Sequence, residues 1–273
     1  MITPSHSFTE TTFGSTRMRV MRLGLSATYW PGRKTIHHAL DHGVNFFFAF
    51  GIDGQMVRTL RDVFRTRRDE LVLATGAYNL VWGYPNLRRT LEKRLRQFGT
   101  DCIDVFLFLG VLKPEQFPPE ALEELCRFRE EGKVRSIGIS VHDRKFAGRL
   151  AQEGVLDSLM IRYNAAHRGA EQDIFPHLNA HDPGLISYTA TRWGYLLRRP
   201  RAWPQDQPVP TVAQCYRFVL SNENVDVCLT APRNTRELRE NLAALEAGAL
   251  SADEMNFMCK FGDVVHDAKK YFM

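Results

Sequence analysis

Eight short, almost continuously apolar runs recur along this chain, at 20–26, 44–48, 71–75, 103–109, 135–140, 158–163, 184–188 and 225–229. Runs of that length without polar alternation suit parallel strands covered on both faces. A stretch of helical periodicity follows each of them, at 34–42, 53–65, 85–98, 119–131, 143–152, 170–179, 212–221 and 235–245. Strand then helix, eight times over, predicts an α/β chain closed into a (β/α)₈ barrel. Its 273 residues are close to the usual barrel length of about 250. No Ser/Gly linker or shift in composition divides them, so the expectation is one barrel domain over 1–273. Two additions are expected: a hairpin at 8–19 closing the barrel bottom, and a last helix over 251–271. Ser251 would cap that helix, with Asp253 and Glu254 in its first turn. The longest connection, 197–210, holds four prolines and reads as a loop on the active face.

The formal net charge of +5 is carried largely by basic runs such as Arg65-Thr66-Arg67-Arg68 and Arg198-Arg199-Pro200-Arg201. Such runs attract an anionic cofactor or substrate, or are simply a solvated surface. No nucleic-acid module is present, so nucleic acid is not an expected partner. The five cysteines are scattered, without metal-ligand spacing, and read as reduced thiols in a cytosolic protein. The first residues lack the apolar core of a signal peptide, and no apolar run reaches the roughly 18 residues of a membrane span. A soluble cytoplasmic protein of undetermined oligomeric state is expected. No metal site is expected, since no HxxxH or HExxH pattern occurs.

Several segments resemble one family in order and spacing. Gly43-Val44-Asn45-Phe46-Phe47 is similar to the "GxNFF" second strand of the aldo-keto reductases. Gly132-Lys133-Val134-Arg135-Ser136-Ile137-Gly138-Ile139-Ser140 resembles their "GKxRxIGxS" fifth strand. Arg162-Tyr163-Asn164 and Gly184-Leu185-Ile186-Ser187-Tyr188 follow the sixth and seventh. The segment from Leu229-Thr230-Ala231-Pro232-Arg233-Asn234 to Glu240-Asn241-Leu242 matches the cofactor-clamping end. The resemblance covers nearly the whole chain and implies the same barrel with an NADP(H) site.

It also implies a catalytic Asp, Tyr, Lys and His, and none of the four stands at its position. Phe48 replaces the Asp, Asp53 the Tyr, Gly76 the Lys and Leu109 the His. In the family the Tyr protonates a carbonyl that receives hydride from NADPH, helped by the Lys and oriented by the His. Asp53 has two readings. Burial beside Phe48 and Leu109 would raise its pKa and make it an acid–base candidate. Its place just before Gly54 equally suits a helix N-cap.

Other polar groups follow strand ends, where barrel chemistry sits. Tyr78 and Asn79 follow the third strand, His142 the fifth, Asn164 and His167 the sixth, Arg192 and Trp193 the seventh. Candidate catalytic residues are therefore Asp53, Tyr78, His142 and Arg162. Arg162 would clamp a substrate carboxylate or phosphate, or sit in a structural ion pair. His142 and His167 would exchange protons near neutral pH, or serve as hydrogen-bonded surface residues. Tyr29, Phe48, Asn164, Arg192 and Trp193 are the expected substrate pocket. By resemblance Tyr188 stacks on the nicotinamide and Ser140 meets its carboxamide. Arg233 and Asn234 would receive the 2′-phosphate, and Glu240 and Asn241 would read the adenine. Val141 and Met160 stand where the family has Asn and Gln, and Glu237 where many relatives have Arg or Gln. The expected function is an NADP(H)-dependent oxidoreductase with a non-standard site acting on a small organic molecule. The alternatives are a redox-neutral isomerase, lyase or cyclase on the same barrel, or a non-catalytic ligand-binding protein.

Overall fold

The computed structural model describes residues 7–78 and 85–268. Its first element is a hairpin: β1 (Glu10–Thr12) runs antiparallel to β2 (Arg19–Met21) with Thr11 opposite Val20. The apolar run expected as one strand at 20–26 is thus two, because Arg22 interrupts it. Its buried guanidinium donates to the Val225 carbonyl at 2.7 Å, turning the chain out of the hairpin and into the barrel.

The barrel strands are β3 (Leu23–Ser26), β4 (Phe46–Phe48), β5 (Val72–Tyr78), β6 (Ile103–Val111), β7 (Val134–Val141), β8 (Ser158–Arg162), β9 (Gly184–Tyr188) and β10 (Val227–Thr230). All pairings among them are parallel, and β10 returns to β3 to close the barrel. Between them run α1 (Gly32–Asp41), α2 (Gly54–Arg67), α3 (Leu87–Phe98), α4 (Pro119–Glu130), α5 (Arg144–Glu153), α6 (Ala170–Asp173), α7 (Val212–Leu220) and α8 (Thr235–Glu246), with α9 (Ala252–Ala268) last. The (β/α)₈ expectation holds.

Strand alternation explains why these runs are apolar throughout. Phe46 and Phe48 pack inside the barrel with Leu107, Leu109, Met160 and Leu229. Phe47, Phe106 and Phe108 point outward into the layer between sheet and helices. Each strand therefore has two buried faces and no polar one.

Two boundaries differ from expectation. β5 continues to Tyr78, so Tyr78 ends a strand rather than opening a loop. The helix expected at 170–179 stops at Asp173, and a 3₁₀ turn, Phe175–His177, follows. Pro176 lacks the amide proton a continuing helix needs there. Helix α5 is bounded locally: Asp143 accepts from the Phe146 amide at 2.9 Å, and Gly154 ends the helix at φ 64°. Ser251 and Glu254 close α9's first turn reciprocally. Trp203, in the proline-containing connection, packs edge-on against Phe261 of α9 with centroids 4.9 Å apart.

Candidate functional site

A cavity of about 290 Å³ opens at the C-terminal end of the barrel. Every barrel strand contributes to it. Ser26, Phe48, Tyr78 and Leu109 come from β3 to β6 in order. Ser140, Met160, Tyr188 and Leu229 come from β7 to β10. Phe48, Leu109, Met160 and Leu229 belong to the barrel's inner cluster, so the cavity floor is the top of that core.

The walls are aromatic. The Phe50 ring stacks on Tyr78 with centroids 5.8 Å apart and meets Phe48 edge-on at 5.0 Å. Phe50 escaped the sequence reading, although Phe46, Phe48 and Phe50 share the period of two that places side chains on one strand face. Tyr29 and Trp193 complete the rim, and Thr28 and Thr191 add hydroxyls that the sequence did not single out.

Polar groups gather on the β7–β9 side. Tyr188 Oη lies 3.3 Å from His142 Nε2. Burial pushes the Tyr188 phenol up to about 12, with Arg162 and Ser140 opposing the shift. The His142 imidazole is held below its usual range, first by burial and then by the Arg162 charge. Neutral His142 is therefore the resting form at pH 7. The Tyr78 phenol is raised, chiefly by burial and then by Tyr188, so it stays protonated. Arg162 does not line the cavity. It ends β8 between the strands that carry His142 and Tyr188, and Tyr188 is its register partner.

The remaining expected site residues lie elsewhere. Asp53 is 1% exposed and caps α2, with its Oδ1 accepting from the Gln55 and Met56 amides at 3.0 and 3.3 Å. The cap is the geometry found, and Asp53 is outside the cavity lining. Asn164, fully buried, accepts from the Ala166 amide and donates to the Thr189 carbonyl, tying the loop after β8 to the one after β9. Arg192 is also fully buried and donates to the Val265 carbonyl near the end of α9. Neither reaches the cavity, because each satisfies backbone groups that burial would otherwise leave unpaired. His167 is partly buried, with an Nε2 that lacks a partner. Its pKa falls to about 3, through burial and then Arg162 and Arg192. Asn79 lies outside the described residues.

On the proposed cofactor side, Asn234 caps α8 by accepting from the Glu237 amide at 3.0 Å. The Arg233 guanidinium sits over the Tyr29 ring at 5.3 Å, which brings this loop to the cavity's edge. Glu237 also accepts from the Arg233 amide at 2.8 Å, so its carboxylate occupies a donor at the helix start. Glu240 is exposed and pairs loosely with Arg236 at 3.9 Å. Asn241 is buried and donates to Thr230 Oγ1 at 2.7 Å, which commits its amide to the fold.

Among the described residues no cluster of three or more potential metal ligands occurs, and no helix is long and apolar enough to cross a membrane. All five cysteines are unpaired, with Cys215 and Cys228 buried.

Comparison with known proteins gives a consistent outcome. A family model described as the aldo/keto reductase family matches residues 31–202. An NADH-specific methylglyoxal reductase of Escherichia coli is 25% identical over 202 residues, 62% of this chain and 62% of that protein. The L-galactose dehydrogenase of Arabidopsis thaliana is 22% identical over 88% of this chain and 89% of its own length. Among solved structures, a holo-form aldo-keto reductase of Bacillus halodurans superposes with a TM-score of 0.77 at 19% identity, covering 94% of this chain and 96% of that one. One from Klebsiella pneumoniae in complex with NADPH gives 0.73 at 21% identity, covering 93% and 95%.

Proposed function

Because the chain belongs to the aldo/keto reductase family, whose model spans more than half of it, we propose that it binds NADP(H) at the barrel mouth and acts as an oxidoreductase of non-standard site on a small organic compound. The observation that carries this reading is the position of Arg233. Its guanidinium lies over Tyr29 at the cavity's edge, beside the Asn234-capped start of α8. A cation and a helix N-terminus next to an aromatic-walled cavity suit a dinucleotide, whose phosphates are anionic and whose rings are flat. The neighbouring complex with NADPH supports the same cofactor.

When bound, the dinucleotide supplies hydride chemistry. Tyr188 offers its ring face to the cavity and Ser140 a hydroxyl. Met160 takes the place of the family's amide partner, so orientation there rests on shape more than on hydrogen bonds. Glu240 remains the candidate for an adenine contact, since Asn241 is engaged with Thr230. Glu237 already takes the Arg233 amide, which weighs against a phosphate at that donor.

The reacting end is weaker in acid chemistry. Phe48 and Leu109 present hydrocarbon where the family has carboxylate and imidazole. Tyr78 is the hydroxyl best placed to meet a substrate carbonyl, yet its raised pKa makes it a hydrogen-bond donor rather than a ready acid. His142 is neutral at rest, so it can accept a proton or a hydrogen bond but holds no acidic proton to give. General acid catalysis contributes roughly 10² to 10⁴-fold, so carbonyl reduction is expected to be slow. The same apolar floor favours a second reading, a redox-neutral enzyme or a ligand-binding protein on this barrel. The five free cysteines suit a reducing compartment such as the cytosol.

Titration with NADPH, followed by cofactor fluorescence and thermal shift, tests the proposal. Micromolar binding that falls about tenfold in Arg233→Ala supports it, a loss typical of a charge-assisted contact. Glu237→Gln should tighten NADPH relative to NADH. No NADPH or NADH binding up to millimolar concentration would sink the oxidoreductase reading and leave the redox-neutral or ligand-binding one.

A further inference from the structure

Left-handed backbone is uncommon outside glycine, and a β-branched or bulky side chain makes it costlier still. Among the described residues six non-glycine positions have a positive φ. Three of them fall within one stretch of five: Thr189 at 63°, Arg192 at 49° and Trp193 at 52°. That stretch follows β9, and Thr189, Ala190, Thr191 and Trp193 all line the cavity. Strain of this kind persists only where the surroundings over-determine it, and it gathers where ligands bind.

The contacts that hold this loop are specific. The Thr189 carbonyl accepts from the Arg192 amide at 2.8 Å and from Asn164 Nδ2 at 2.9 Å. The first bond lies within the loop and would move with it. The second comes from outside, just past the end of β8 and 25 positions away. Asn164 is fully buried, and its Oδ1 accepts from the Ala166 amide at 3.0 Å, so both ends of its amide are engaged. The segment that carries it is fixed on α9 in turn. Arg168 pairs with Asp263 at 2.7 Å and donates to the Cys259 carbonyl at 3.0 Å, and His266 Nδ1 meets the Ala166 carbonyl at 2.9 Å. A donor on a fixed base therefore faces the first strained residue of the cavity wall.

We propose that Asn164 is a positioning residue of the cavity: through the Thr189 carbonyl it holds the loop after β9 on its left-handed path, and so sets Thr191 and Trp193 as cavity wall. A carbonyl pinned between two donors fixes the peptide plane after Thr189, and with it the direction in which the chain leaves β9. Without the Asn164 donor, Thr189 is drawn back to the right-handed or extended backbone that a β-branched residue favours. The residues beyond it then lose their fixed place at the mouth. This role goes beyond the oxidoreductase reading and does not depend on it, since the wall is the same whichever ligand the cavity takes.

The test is amide hydrogen exchange of the full, ligand-free chain, read by mass spectrometry on peptides covering 189–197 and, for reference, β6. Asn164→Ser is the variant, because a serine hydroxyl can keep the local turn to the Ala166 amide but is too short to reach Thr189. Exchange at the Arg192, Gly194 and Leu196 amides, all bonded within the loop, should quicken about tenfold, the worth of one hydrogen bond and the strain it opposes. The β6 amides should keep their wild-type rates. Adding Thr189→Gly, which takes a positive φ without strain, should cut the acceleration to about threefold. That rescue separates positioning from bulk stability, since a merely structural Asn164 would give losses that add. If Asn164→Ser does not fold alone but folds with Thr189→Gly, the proposal is supported. Unchanged exchange in the loop overturns it, as does acceleration shared equally by β6, a glycine that brings no recovery, or failure of both variants to fold. The outcome is the same whether or not NADPH binds, so it stands apart from the cofactor titration.

Discussion

Tyr188 and His142 meet at 3.3 Å, hydroxyl to Nε2, although 46 positions separate them in the chain. Their strands are not neighbours, since β8 runs between β7 and β9. The contact therefore bridges over the end of β8 and fixes the Tyr188 ring as one wall of the cavity. Tyr188→Phe keeps that wall and removes the hydroxyl. NADPH affinity should fall only about fivefold, the worth of one neutral hydrogen bond. Tyr188→Ala removes the ring as well and should cost at least tenfold more. Equal losses in a fluorescence titration would mean that the hydroxyl, not the ring face, makes the contact.

Restoring a lysine at position 76 will not restore reductase chemistry. A Cβ on Gly76 would stand 2.0 Å from the Leu107 carbonyl oxygen, a backbone atom of the adjacent strand. Even Gly76→Ala must push β5 and β6 apart, and overpacking of this kind costs about 3 kcal/mol. Chemical denaturation should show that loss for Gly76→Ala and a larger one for Gly76→Lys. A Gly76→Lys protein of unchanged stability would show that the strands give way freely.

Asp53→Ala separates the two readings of that carboxylate. Loss of the N-cap at α2 should lower stability by about 1 kcal/mol. Ligand and cofactor affinities should stay within twofold of wild type, because the side chain is outside the cavity lining. A variant with intact stability and lost activity would instead return Asp53 to the list of catalytic groups.

Acid should destabilise the protein through His167. Its folded pKa of about 3 lies below the ordinary value of 6.5, so the neutral ring is the folded form. The unfolded chain takes up a proton at pH 6.5 and below that the folded chain does not. Stability is thus fully present above pH 6.5 and declines as pH falls towards 3. After allowance for solvent screening, the loss attributable to this residue at pH 5 is about 1 kcal/mol. His167→Gln should flatten the change in urea midpoint between pH 7 and pH 5 by that amount. An unaltered slope would assign the acid sensitivity to other groups.

The barrel was readable from the order of the residues because its signals are local. Runs such as Phe46-Phe47-Phe48 are apolar on both faces, and that alone demands a strand covered on both sides. Caps at Asp143, Asn234 and Ser251 act within three or four residues of their own helix, so they too can be seen in the chain. Tyr29, Tyr78, His142 and Trp193 were identifiable as mouth residues by their places at or just after strand ends, and Phe48, Ser140 and Tyr188 through the family resemblance; all line the cavity.

What the chain alone left undecided depends on closure of the barrel. The local sequence left Asp53 open between acid and cap and put Asn164 and Arg192 in the substrate pocket, whereas the closed barrel ties both of the latter to backbone carbonyls. The choice falls to long-range neighbours: the carbonyls of Thr189 and Val265 lie 25 and 73 positions away from the side chains that bind them. Likewise, nothing near Arg162 in the chain announces that it stands between His142 and Tyr188. Burial makes unpaired polar groups costly, so these side chains go wherever the closed barrel offers partners. Sequence determined the strands, the helices and the apolar floor; only the packed structure decided which polar groups remain at the mouth to meet a ligand.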